Sequence, residues 1–170
     1  IAAGNNTSFA LNSNGTVFAW GTANDNNNVV ANANGLGSIQ AISAGGTHFL
    51  ALNNSGDVVA RGRLNGVDAA TSVPAITGVA AISAGTDHAL ALHNGGTVSA
   101  WGNNSAGQTS LPAIGNAVAI SAGGTQSLIL RSDGTVQAAG QLSSYDGIQN
   151  QTNVVYVTAG SFHSYAVRSD

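Results

Sequence analysis

Histidine is the residue type in this chain best suited to acid-base or metal chemistry, and three of the four histidines share one setting. His48, His88 and His163 each stand three residues after an Ala-Gly pair, and Thr7 and Gln126 occupy the same place in two further copies. Imidazoles bind zinc or move protons in clusters of different groups, not as one residue repeated along a chain. We interpret these side chains as structural groups that form hydrogen bonds between neighbouring units.

The remaining candidates for chemistry are sparse. The sequence has no nucleophile motif, no phosphate-binding loop and no carboxylate pair, and its seven acidic residues are scattered. Segment 24–28 is rich in Asn, but it lacks the alternating ligands and the final Glu of a calcium-binding loop. His93 lies in a turn without an evident partner. We predict no enzymatic activity, no cofactor and no metal.

The charge of the chain excludes other classes of partner. Charged residues make up only 6% of the sequence, against about 25% in typical globular proteins. Four arginines and a net charge of −3 are too little positive charge for nucleic-acid binding. No apolar stretch approaches the roughly 18 residues that suggest a membrane span. The weakly charged, Asn- and Thr-rich composition favours an exported protein, either extracellular or at a cell surface.

An internal repeat must position these residues. The chain contains four complete units and an incomplete fifth, each opening with an apolar residue, a small residue, Ala and Gly. The units begin at residues 1, 42, 82, 120 and 157. A period of about 40 residues is typical of propeller blades. We predict that residues 1–170 form a single repeat domain.

The third unit shows the internal pattern of the repeat. A second apolar run at 89–92 is followed by a turn with Gly96, a third run at 98–102 and a short fourth segment at 109–112. Four short antiparallel strands in one unit predict an all-β fold, a β-propeller with about four four-stranded blades and a half blade. Neighbouring blades must bury each other's faces. We expect the first residue of each unit, the end of its second run and the valine after its turn to form the core, as at Ile1, Leu11 and Val17.

The same unit resembles the RCC1 repeat, the repeat of the regulator of chromosome condensation. The resemblance lies in residues 84–88, 90–92 and 96–98 and in the Trp-Gly-Asn-Asn-Ser-Ala-Gly-Gln segment at 101–108. The short period and loop 107–112 are more similar to the bacterial β-lactamase-inhibitor protein II branch. Members of both branches form seven-bladed rings. The resemblance therefore implies a partial ring, a fragment of a larger propeller, or two chains that complete one.

The resemblance also implies a non-catalytic module that binds a protein partner through loops on one rim. Candidate contacts are residues of the less repetitive loops, with aromatic side chains favoured because they are common in binding hot spots. They are Trp101, Asn103, Asn104, Tyr145 and Asp146. Trp20 and Trp101 also end third strands, a position typical of packing between blades.

Three alternatives to a single protein partner remain open. The chain could be a structural spacer, an adhesin or a repeat segment of a fibre within a cell-surface assembly. It could be a lectin-like propeller that uses its Asn-rich loops to bind carbohydrate. Finally, the open edges of its end blades could support self-association, because unpaired strands are surfaces that natural proteins usually cover.

Overall fold

The computed structural model describes residues 1–21, 29–68, 72–141 and 147–170, in which strands recur in five small antiparallel sheets. We call these sheets blades 1 to 5. Blade 1 contains β1 (Ala2–Ala3), β2 (Thr7–Leu11) and β3 (Val17–Gly21). Blade 2 contains β4 (Ile39–Ala44), β5 (His48–Asn53), β6 (Val58–Leu64) and β7 (Val67–Asp68), and blade 3 contains β8 (Val79–Ala84), β9 (His88–His93) and β10 (Val98–Gly102). Blade 4 contains β11 (Ala117–Ala122), β12 (Gln126–Arg131) and β13 (Val136–Gly140), and blade 5 contains β14 (Val154–Ala159) and β15 (Ser164–Arg168).

The turns between second and third strands set the register of each blade. In blade 2 the side-chain oxygen of Asn53 accepts hydrogen bonds from the backbone N–H groups of Ser55 and Asp57, both at 2.9 Å. Gly56 follows with a φ of 82°, a left-handed conformation that glycine adopts at little cost. The turn places Leu52 opposite Val58. This short Asn-x-x-Gly segment therefore decides which side chains share a face.

The core consists of four separate clusters, one between each pair of neighbouring blades. The middle strands carry most of it, because β5, β9 and β12 are buried on both faces along five successive residues. Phe9 of blade 1 stacks on Phe49 of blade 2, with ring centroids 4.3 Å apart. Each cluster depends on two adjacent units, as expected for a repeat protein.

The propeller fold and the half blade at the end are confirmed, but a fourth strand in every blade is wrong. Among the described residues only blade 2 has one, β7. The described part of the link after β3 contains a short helix, α1 (Val29–Ala33), and the described part of the link after β13 contains a 3-10 turn (Ile148–Asn150). Both links bury an apolar side chain in a cluster, Val29 and Ile148. A buried apolar side chain can cover the cluster from a strand, a helix or a turn. The sequence therefore does not require a strand here.

The predicted core positions are buried or half-buried with one exception. Ile1 is fully exposed, because it lies on the side of blade 1 that faces away from blade 2 and packs against no other described blade. The prediction also omitted central residues of the middle strands, such as Phe49 and Leu50, both fully buried. None of the helices in the described segments has the length and apolar character that a bilayer crossing needs.

Candidate functional site

The turns between first and second strands of all five blades meet at one groove. It has a volume of about 310 Å³ and is lined by the same three repeat positions in every unit, as at Ala44, Gly45 and Gly46 of blade 2. Each of these turns follows a first strand that leads toward the groove. The groove is therefore a composite of all five units.

Backbone hydrogen bonds between blades form the wall of this groove. The N–H of Gly46 donates to the carbonyl oxygen of Thr86 at 3.1 Å, and the N–H of Thr86 donates to that of Gly123 at 3.0 Å. Blades approach this closely only because the turn residues are small. The lining side chains other than Ala and Gly are Asn5, Thr86 and Ser161. Such a surface can accept a loop or a side chain by shape and hydrogen bonding, and its lining offers no group for acid-base catalysis.

The repeated histidine position forms contacts between blades at His88 and at Gln126, which confirms the structural interpretation for these two residues. The Ser127 hydroxyl of blade 4 donates to the Gln108 carbonyl oxygen at 2.8 Å. Ser127 Oγ must therefore accept from Nε2 of His88, which lies 2.9 Å away in blade 3. At the next interface the Ser164 hydroxyl donates to Gln126 Oε1 at 3.0 Å. No group of three His, Cys, Asp or Glu side chains in the described residues is arranged to hold a metal.

His48 occupies the same place but lacks this partner. Its ring is buried, and neither nitrogen has a hydrogen-bond partner among the described residues. Ala89 stands where Ser127 stands one interface later, so no hydroxyl faces the ring. Burial, together with the nearby His88, lowers the pKa of His48 to about 4. Burial also lowers the pKa of His88 to about 4. Both imidazoles are neutral at pH 7.

Replacing Ala89 with serine is expected to stabilise the protein by about 1 kcal/mol, the usual net value of a hydrogen bond. The new hydroxyl would face the unpaired His48 ring as Ser127 faces His88. A matched control is Ala91→Ser on the same buried strand, where a hydroxyl has no such ring to meet and is expected to destabilise. Thermal unfolding midpoints measure both changes. Equal losses in the two variants would contradict the assignment.

Trp101 does not belong to the candidate contact surface. It is 7% exposed and packs between blades 2 and 3 with Leu50 and Ala89, so its place among the predicted contacts is corrected. The packing interpretation fits Trp101, whereas Trp20, at the same repeat position in blade 1, is 53% exposed. The difference arises because Trp101 faces blade 2, whereas Trp20 lies on the side of blade 1 that packs against no other described blade.

The structure places Asn103 and Asn104 in the loop after β10, where they fold the loop itself. The Asn103 side-chain oxygen accepts from the Ser105 N–H at 2.8 Å, and that of Asn104 accepts from the Thr109 N–H at 2.9 Å. Asn104 is exposed and remains accessible. Tyr145 and Asp146 lie outside the described residues, as does the Asn-rich segment 24–28. The contact roles of Asn103, Asn104, Tyr145 and Asp146 stay predictions.

Sequence reasoning missed Gln108, a fully buried polar residue that closes the same loop. Its side-chain oxygen accepts from the Ala106 N–H at 2.9 Å, and its carbonyl oxygen accepts from the Ser127 hydroxyl. The signal was present in the repeat pattern, because Gln108 ends the Gly-Gln pair by which the unit was matched. A polar residue at the end of a loop can form hydrogen bonds with the neighbouring blade as well as with solvent.

Antiparallel sheets repeated around an axial groove define a β-propeller built from sequence repeats. The family described as the regulator of chromosome condensation (RCC1) repeat matches residues 1–28 and 79–108. The predicted resemblance to this repeat is thereby confirmed. Greater similarity to the β-lactamase-inhibitor protein II branch stays a prediction. No curated protein matches the chain.

Several solved structures share the fold. Yeast RCC1 (Prp20) bound to Kap60 has a TM-score of 0.74 and 17% identity, over 99% of this chain and 54% of that protein. The ectodomain of the receptor kinase CR4 from Physcomitrella patens has a TM-score of 0.79 and 22% identity, over 99% and 50%. Prp20p from Saccharomyces cerevisiae, described with its binding to Gsp1p and histones, has a TM-score of 0.72 and 25% identity, over 96% and 54%. The chain thus spans about half the length of these proteins.

Proposed function

We propose that this chain is a non-catalytic protein-binding propeller module that meets its partner on the face around the groove. The groove carries this proposal, because every unit contributes the same three positions to it. Because every unit contributes to this surface, its area increases with the number of units. The side faces of the blades, in contrast, are buried against neighbouring blades. The yeast relative, whose solved structure is a complex with Kap60, supports the proposal by analogy.

The chemistry of this face indicates how a partner would be held. Most exposed side chains near the groove are neutral and polar, as at Asn5, Asn6, Thr47 and Thr86. The exposed ring of Phe162, next to Ser161, adds one apolar group to this face. Among the described residues, the one salt bridge joins Arg168 and Asp170 near the chain's last residue. Hydrogen bonding and shape would therefore select the partner, with little dependence of affinity on salt. The low charge also underlies our proposal that the protein acts outside the cell or at a cell surface.

Site-specific photo-crosslinking tests this function. A photoreactive amino acid at Thr47 or Asn104 would report on the groove face, and the same group at the exposed Asn54 would report on the opposite ends of the blades. We expect discrete adducts with a protein from the source extract at the first two positions, competed by excess unlabelled chain. Asn54 should give none.

Other outcomes distinguish the alternatives. Absence of adducts from both ends would contradict the proposal and favour a structural spacer or adhesin segment. Equal adducts from both ends would also contradict it. Selective binding on a glycan array, without protein adducts, would favour the lectin-like function.

A further inference from the structure

Asparagine followed by glycine is the dipeptide of this chain most open to spontaneous covalent chemistry. Asparagine is a thermolabile residue, and glycine, which has no side chain, lets its amide nitrogen approach the side-chain carbonyl carbon of the residue before it. The chain has four such pairs, Asn14–Gly15, Asn34–Gly35, Asn65–Gly66 and Asn94–Gly95. All four asparagines are exposed, so exposure does not distinguish them.

Hydrogen bonding of the glycine N–H divides the four pairs into two groups. In the first two pairs it donates to a backbone carbonyl oxygen, at 3.1 Å for Gly15 and at 2.9 Å for Gly35. The N–H groups of Gly66 and Gly95 have no hydrogen-bond partner among the described residues. A nitrogen that donates within the protein keeps its proton and its orientation, so this bond must break before the nitrogen can react.

Position within the turn accounts for the free N–H of Gly95. In the turn between β9 and β10, the N–H that donates to the His93 carbonyl oxygen is that of Gly96, at 2.9 Å. Asn94–Gly95 fills the two positions before it. In the turn between β2 and β3, Asn14–Gly15 lies one position later, so Gly15 is itself the donor. The same dipeptide is thus protected in blade 1 and unprotected in blade 3.

Asn65–Gly66 leaves its glycine N–H free in a tighter turn. The pair joins β6 to β7 with φ angles of 52° and 77°, which are typical of a two-residue hairpin turn. Strand pairing in this hairpin joins the residues on either side of the turn, Leu64 and Val67. Gly66 lies between the two strands and is exposed, so its N–H faces solvent.

We propose that Asn65 and Asn94 are sites of spontaneous deamidation in the folded protein, whereas Asn14 and Asn34 are protected. The nitrogen of the following glycine forms a bond to the side-chain Cγ as the Cγ–Nδ2 bond breaks, and the displaced amide takes the glycine proton and leaves as ammonia. Water then opens the cyclic imide. Cleavage of the bond between the nitrogen and Cγ gives aspartate, whereas cleavage of the bond to the backbone carbonyl carbon gives isoaspartate, in which the main chain runs through Cβ and Cγ.

Isoaspartate at position 94 affects blade 3 through its backbone contacts. The N–H of Asn94 donates to the carbonyl oxygen of Gly78 at 2.9 Å, and the carbonyl oxygen of Gly96 accepts from the N–H of Ala117 at 3.0 Å. These two bonds hold the turn against the segments that enter β8 and β11. An extra main-chain carbon changes the spacing between the two bonds, so we expect blade 3 to be destabilised by isoaspartate but not by aspartate.

Incubation of the folded chain in mildly alkaline buffer, followed by trypsin digestion and tandem mass spectrometry, is the first test. Trypsin cleaves this lysine-free chain only after arginine, which leaves both protected pairs in peptide 1–61 and both unprotected pairs in peptide 64–131. We expect the amide-to-carboxyl mass increase at Asn65 and Asn94 at rates about tenfold higher than in the protected pairs, because no backbone hydrogen bond has to break.

The same incubation in denaturant is the control, because it removes the hydrogen bonds and should bring all four pairs to similar rates. Similar rates for all four pairs in the folded chain would overturn the proposal. Retention of the amide at Asn65 or Asn94 in the folded chain, together with its loss in denaturant, would overturn the assignment of that site.

Two variants test the consequence for blade 3. Asn94→Asp carries the new charge without the longer main chain, so its thermal unfolding midpoint should stay close to that of the fresh protein. Asn94→Gln lacks the reactive geometry, so incubation should lower its midpoint less than that of the unsubstituted chain. An equal fall on incubation in Asn94→Gln, or a fall in Asn94→Asp as large as that of the incubated chain, would overturn the role of isoaspartate at this turn.

Discussion

Replacing Gly85 with alanine is expected to destabilise the protein by about 3 kcal/mol, the upper end of the usual cost of overpacking. An added Cβ would lie 2.3 Å from His88 Cε1 and 2.5 Å from the Gly123 carbonyl oxygen. The first obstacle is a buried ring and the second is the backbone of the next blade, so neither can move without opening the interface. The effect should be a large fall in the thermal unfolding midpoint.

Gly95→Ala provides the matched control for this substitution. Gly95 lies in an exposed turn of the same blade, has no atom within 4 Å of an added Cβ and is not in a left-handed conformation. We expect a change of at most about 0.5 kcal/mol. Similar midpoints for the two variants would show that blades 3 and 4 do not approach each other as closely as described.

Acidification from pH 6.5 to pH 4 is expected to destabilise the protein strongly, because His48 and His88 are buried as neutral rings. Each has a pKa of about 4 when folded, against an ordinary value of 6.5. The unfolded chain therefore binds more protons in this range, and stability rises with pH. The contribution is fully present above pH 6.5 and is lost as pH falls towards 4. It is on the order of 3 kcal/mol for each ring, and typical domains have only about 5–15 kcal/mol in total.

The double variant His48→Gln/His88→Gln tests the origin of this effect. Glutamine is already used at the same repeat position, since Gln126 bonds to Ser164. We expect denaturant unfolding of the variant to show much weaker pH dependence between 6.5 and 4. An equally steep pH dependence in the variant would contradict burial of the two neutral rings.

Much of the fold was predictable because local sequence signals coincide with the repeat. Turn residues such as Asn53 and Gly56 specify their own hairpin, and the apolar runs around them specify strands. The fourth strands were not predictable, because the links after each third strand need only one buried apolar side chain, such as Val29 or Ile148. A buried anchor does not fix the backbone around it.

The candidate site was less predictable, because position in the array decides what a residue does. Trp20 and Trp101 occupy the same place in the repeat, yet one is exposed and the other is buried. Likewise, His48 and His88 are equivalent in sequence, and the residue across the interface decides that only His88 has a partner. A pattern within one unit carries no information about the neighbouring unit, so such differences appear only when both are placed side by side.

The division of the core into four clusters bears on how this chain can evolve. Each cluster is made by two adjacent blades and has its own composition, from the stacked Phe9 and Phe49 at one end to Leu128 and Val157 at the other. Duplication or deletion of a whole unit therefore adds or removes one cluster without redesigning the rest. Such an architecture tolerates changes in the number of units. An insertion or deletion of a few residues within a unit, in contrast, disrupts the two clusters that this unit forms with its neighbours.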